Sequence, residues 1–105
     1  KGRFENVRVH VRDILYVEYF NKHVCFYMDT PKKEHYQIIG NLTNIYEKLK
    51  GLGFFRCHQA FIVNLEKINR FNGYNAILVT GDVIPISVRN KSDLLVAYSK
   101  YHEGI

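Results

Sequence analysis

Apolar and polar residues alternate from Phe4 to Val11, with Phe4, Val7, Val9 and Val11 set against Glu5, Arg8, His10 and Arg12. That period of two predicts a strand with one exposed face. After an Arg12-Asp13 turn, Ile14 to Phe20 is an unbroken β-branched and aromatic run, and His23 to Met28 is a second. Asn21-Lys22-His23 between them predicts the tip of a hairpin over 14–28. Thr30-Pro31-Lys32-Lys33 predicts another turn, followed by a strand from Glu34 to Ile39.

The period then changes. Leu42, Ile45, Tyr46 and Leu49 fall at helical spacing, with Asn41 or Thr43 to cap the start and Gly51 and Gly53 to end it. Phe54 to Cys57 reads as short and extended, and Ala60 to Leu65 as an irregular, buried connection. Three further strands are expected over 66–71, 75–80 and 83–86, parted by the hairpin signals Asn72-Gly73 and Gly81-Asp82. A terminal helix beginning at Asn90 or Ser92 would put Leu94, Leu95, Tyr98 and Tyr101 on one face, and core packing is its expected use. The fold class is therefore mainly β: short antiparallel strands in small sheets, one short internal helix and a C-terminal helix. The absence of βαβ alternation argues against Rossmann and P-loop folds.

A chain of 105 residues forms one domain over 1–105, with enough apolar residues for a core. It starts at Lys1 and not Met, so the expectation is a domain from a longer protein. No apolar run reaches the roughly 18 residues of a membrane span, and no signal peptide is visible. Cys25 and Cys57 lie far apart and read as buried thiols in a reducing compartment, which makes cytoplasm the default.

The net charge of +5 changes the picture modestly, favouring a polyanionic partner. Catalytic signatures are missing: there is no G-x-S-x-G, Walker loop or H-E-x-x-H. Cys57 next to His58 would point to opposite faces of an extended chain, and the five His lack ligand spacing, so neither enzyme, metal nor cofactor is expected. Nucleic-acid recognition fits better. Asn21, Lys22 and His23 crowd a hairpin tip; Arg56 and Gln59 flank Cys57-His58 and stay free at the edge of an apolar stretch; Arg89 directly follows a buried-looking strand. Gln suits adenine and Arg guanine in the major groove, while Lys22, Lys91 and the Ser87 hydroxyl suit phosphates. Each signal alone is weak, because exposed polar residues are ordinarily just solvated. His58 and Asn64 read better as scaffold residues that satisfy loop backbone, Cys57 as a small buried apolar group, and Glu18 as an acceptor at the scaffold's edge.

Several linked stretches carry a resemblance. Asp13-Ile14-Leu15-Tyr16-Val17-Glu18, Phe55-Arg56-Cys57-His58-Gln59-Ala60-Phe61-Ile62-Val63-Asn64, Ile68 and Ile84-Pro85-Ile86-Ser87-Val88-Arg89 together resemble a LytTR DNA-binding domain over roughly residues 4–101. Cys57-His58 and Ser87-Val88-Arg89-Asn90 are most similar to the accessory-gene-regulator (AgrA-like) branch of quorum-sensing response regulators. The resemblance implies the output module of a bacterial two-component response regulator, preceded by a receiver domain. It would read promoter DNA with direct repeats through loops in successive major grooves, bend it, and place two otherwise monomeric copies on adjacent repeats. It further implies base contacts by His23, Gln59 and Arg89, with Asn21, Lys22, Arg56, Ser87, Asn90 and Lys91 contacting or supporting the backbone. Gln59 stands where Asn or Arg is usual and Ala60 where Ser is usual, so base preference and one phosphate contact depart from the pattern. Two other functions remain open on the residues alone. One is an open-barrel single-strand binder stacking bases on Tyr16, Tyr19, Phe26 and Tyr27; the other is a protein-interaction β module.

Overall fold

The computed structural model describes residues 9–103 and consists of two antiparallel sheets and two α-helices. Strands β1 (Ile14–Phe20), β2 (His23–Met28), β3 (His35–Ile39), β4 (Phe54–His58) and β5 (Phe61–Asn64) form one sheet in the order β3-β2-β1-β5-β4. Strands β6 (Ile68–Asn72), β7 (Asn75–Leu78) and β8 (Val83–Pro85) form the second. Helix α1 spans Leu42–Leu49 and α2 spans Lys91–Glu103. The larger sheet is open, with β3 and β4 as edges, so no barrel closes around Tyr16 or Phe26.

Two cores lie on the two faces of that sheet. Val17, Val24, Phe26, Phe54 and Ile62 face α1, which contributes Leu42 and Leu49. Leu15, Cys57 and Val63 face the smaller sheet and α2, meeting Ala76, Leu78, Ile84 and Leu94. The alternation along β1 and β5 divides the side chains between these cores, which explains why both strands are so uniformly apolar.

Several expectations change. The strand expected over 4–11 falls largely outside the described residues, and Val11–Asp13 is a 3-10 turn. The segment 60–65, expected to be irregular, contains β5, which inserts between β1 and β4. It resembles a buried connection because both its faces are covered, so it shows no alternation. Leu95 does not join Leu94 in the core: consecutive helical residues are about 100° apart, which leaves Leu95 at the surface while Leu94 is fully buried.

Local chemistry sets the element ends. The Asn41 Oδ1 accepts the Asn44 N–H at 2.8 Å and caps α1. Gly53, at φ +88°, ends the following turn, and a Cβ there would stand 2.8 Å from the Tyr101 ring, so α2 rests on this glycine. Buried Asn64 ties the start of β1 to the turn after β5, donating to the Ile14 carbonyl at 2.7 Å and accepting the Glu66 N–H at 3.0 Å. Among the described residues no helix is long and apolar enough to cross a membrane.

Candidate nucleic-acid interface

Three loops meet at one end of the larger sheet. The β1–β2 turn is only two residues, Asn21 and Lys22, both with positive φ (54° and 66°). This is the backbone form whose twist matches a tight hairpin, and Asn suits it better than Lys does. His23 is thereby the first residue of β2, not part of the tip, and its Nδ1 lies 2.8 Å from the Asn21 carbonyl oxygen.

The β4–β5 turn is Gln59-Ala60. Its register is set by a bulge: Arg56 pairs with Ile62, yet His58 pairs with Phe61, which leaves Cys57 as an extra residue. Alternation predicts that Cys57 and His58 point to opposite faces, but the bulge removes that rule locally. Cys57 enters the core on which Phe61 packs, and His58 lies edge-on to Phe61 at 5.6 Å. The Cys57 thiol donates to the Pro85 carbonyl at 3.5 Å, and burial pushes its pKa up to about 12. His58 Nδ1 accepts the Ala60 N–H at 3.0 Å, so this pair holds the turn and is not arranged as nucleophile and base.

Hydrogen bonds place the turn beside the hairpin. The Tyr19 N–H donates to the Ala60 carbonyl at 2.9 Å, and Glu18 pairs with Phe61. From β2 to β5 is two strand spacings, so His23 and the Gln59 turn are about 10 Å apart across the sheet. The third loop, 87–90, is tied to β4 by the Ser87 N–H donating to the Cys57 carbonyl at 2.9 Å, with the Ser87 Oγ at 3.4 Å from the same oxygen. The Asn90 N–H closes the turn on the Ser87 carbonyl at 3.0 Å. His23, Gln59 and Arg89 therefore share one end of the molecule, arranged across the strands.

Arg56, Gln59, Ser87, Arg89 and Asn90, with His58, line an open cleft of about 460 Å³. The expectation that Arg56 stays free is corrected by its geometry. Its guanidinium donates to Thr43 Oγ1 at 2.9 Å and to the Gln59 carbonyl at 2.7 Å, joining α1 to the turn. Nothing in the sequence marks Thr43 as its partner. Gln59 and Arg89 are exposed, whereas Lys91 Nζ sits 4.5 Å above the Tyr74 ring in a cation–π contact.

Of the aromatics considered as stacking platforms, Tyr16, Phe26 and Tyr27 are engaged within the domain, whereas Tyr19 is 40% exposed. Tyr16 and Tyr27 stack on each other at 4.6 Å, Tyr27 on His35 at 5.6 Å, and Phe26 is in the core. Glu18, on the same sheet face, is half-buried, and burial raises its pKa; no hydrogen bond reaches its carboxylate from the described residues. Cys25 and Cys57 are both buried free thiols, and among the described residues no cluster of His, Cys, Asp or Glu could hold a metal ion.

The family model for the LytTr DNA-binding domain matches residues 5–98. The chain belongs to the LytTr DNA-binding domain family. It is similar to the transcriptional regulatory protein YpdB of Escherichia coli (strain K12) and of Shigella flexneri, at 40% identity over 58 residues in each case. That match covers 55% of this chain and only 22% of those relatives' length. A solved LytTr DNA-binding domain from Bacillus cereus has the same fold, with a TM-score of 0.73 at 20% identity over 85% of this chain and 84% of that one.

Proposed function

We propose that the chain is the duplex-DNA-binding output domain of a transcription regulator, selecting sequence through three loops instead of a recognition helix. In this reading His23, Gln59 and Arg89 reach base edges in the major groove. Asn21, Lys22, Ser87, Asn90 and Lys91 face the phosphates, and Arg56 acts mainly by holding Gln59 in place. The supporting observation is the convergence of the three loops on one end of the sheet, beside a cleft bounded by Arg56 and Arg89. The net charge of +5 makes binding salt-dependent.

Bending belongs to the same reading. From β2 to the 87–90 loop beyond β4 is four strand spacings, about 19 Å, whereas successive major grooves on a straight duplex face repeat about every 34–36 Å. A duplex curving toward the domain would satisfy the outer loops together. The wider context is proposed on resemblance and on the named relatives: a receiver domain upstream, a cytoplasmic setting, and two copies of an otherwise monomeric domain on adjacent direct repeats. The accessory-gene-regulator branch, with its quorum-sensing role, is proposed from Cys57-His58 and Ser87 to Asn90.

The test is selection of bound duplexes from a random library, followed by Arg89→Ala. A bidentate Arg contact discriminates by about 1–3 kcal/mol, so the variant should lose about five- to 150-fold of its preference for the selected duplex over random DNA. Its melting temperature should be unchanged. Normal preference in the variant removes Arg89 from the interface, and failure to enrich any duplex removes the function.

A further inference from the structure

Among the described residues the three most exposed large apolar side chains are Ile39 at 84%, Val88 at 75% and Phe20 at 63%. All three flank the residues discussed above. Val88 directly precedes Arg89, while Phe20 and Ile39 are the two cross-strand partners of His23. Directly opposed residues project from the same face of a sheet, so Phe20, His23 and Ile39 make one row across three strands, about 10 Å long. The parallel rows further along this face are stacked or carry polar groups. Tyr16, Tyr27 and His35 stack, and Cys25 Sγ lies 3.7 Å from Gln37 Oε1. Only the row at the loop end presents bare apolar surface on either side of a hydrogen-bonding group.

A duplex groove offers such a row a specific partner. The thymine C5-methyl is the apolar group on the major-groove edge, and it lies beside donors and acceptors that an imidazole can meet. Lys22, next in chain to His23, is a cation at the same tip and suits a polyanion better than a neutral protein surface. We propose that Phe20 and Ile39 read thymine methyl groups on either side of the base pair that His23 contacts. This rests on the duplex-binding reading above and adds its apolar half. Strands are about 4.8 Å apart and base pairs rise about 3.4 Å, so the two methyl groups lie one to two base pairs from the position read by His23.

The experiment changes the DNA first. In the duplex selected from the random library, His23→Ala locates the position whose preference depends on that residue. Each thymine within two base pairs is then replaced singly by deoxyuridine, which removes the methyl and keeps every hydrogen-bonding group. Loss of one buried methyl should weaken wild-type binding about three- to fourfold. Phe20→Ala should lose sensitivity at one of these positions and Ile39→Ala at the other. Both variants should keep the wild-type melting temperature, because both side chains are exposed. A selected site with no thymine in that window, an affinity unmoved by deoxyuridine, or variants as sensitive as wild type would each overturn the proposal while leaving duplex binding intact. Failure to enrich any duplex would overturn both.

Discussion

Arg56 offers the sharpest test of how the interface is built. Its two hydrogen bonds, 2.9 Å to Thr43 Oγ1 and 2.7 Å to the Gln59 carbonyl, lie at the surface, so together they stabilise the free domain by only about 1 kcal/mol. Their larger effect falls on Gln59. Ala60 keeps its bonds to His58 and Tyr19 when Arg56 is removed, so Gln59 alone gains freedom. Ordering one released residue on DNA costs about 1–2 kcal/mol, which makes Arg56→Ala about five- to thirtyfold weaker on the selected duplex. Arg56→Lys should behave similarly, because a single ammonium cannot match a planar fork that reaches two acceptors. The assay is a double-mutant cycle with Gln59→Ala, read by titration on selected and random duplexes across salt concentrations. If Arg56 works through Gln59, its effect shrinks in the Gln59→Ala background, with a coupling of about 1 kcal/mol. The reasoning is refuted if Arg56→Ala costs the same in both backgrounds, weakens all sequences alike and lowers the salt slope by about 0.9. That pattern would make Arg56 a direct phosphate ligand.

Two predictions concern the scaffold. Asn64→Ala strands the Ile14 carbonyl, which belongs to a residue only 2% exposed, and should destabilise by about 2 kcal/mol. The melting temperature should fall roughly 10 °C, and a fall under about 3 °C would show that the bridge is dispensable. For Glu18, the folded-state pKa lies above the ordinary value of 4.5, so the folded chain binds more protons than the unfolded one just above that value and stability declines as pH rises through this window. Glu18→Gln removes the decline: it should be more stable than wild type at neutral pH and equal to it in acid below 4.5. Urea melts at both pH values decide this, and a wild type more stable at neutral pH would mean that the carboxylate has a stabilising partner.

The element types were largely readable from the residues, because hydrophobic period reports which faces are covered. The helix over 42–49 and the hairpin over 14–28 show this directly. β5 escapes this pattern for the same reason in reverse: Phe61-Ile62-Val63 is covered on both sides and therefore has no period. The site was legible as residue types but not as an arrangement. Nothing local says that Gln59 lies beside the first hairpin, because that proximity comes from β5 pairing with β1, a long-range choice. The Cys57 bulge and the Arg56–Thr43 bond were equally invisible, one depending on register and the other on where α1 packs. The apolar residues Phe20 and Ile39 read simply as strand positions, and only their exposure gives them a second meaning.

The position of β1 in the middle of its sheet has a consequence for synthesis. Its first neighbour, β2, arrives at once, but its second, β5, lies almost half the chain away, where Tyr16 meets Val63. A nascent chain that has made only the first three strands therefore holds an adhesive flank of unpaired amides and carbonyls. Gln59 and Arg89 reach the level of His23 only when that flank is sealed, so under the proposed function an incomplete product would be sticky yet unable to hold DNA.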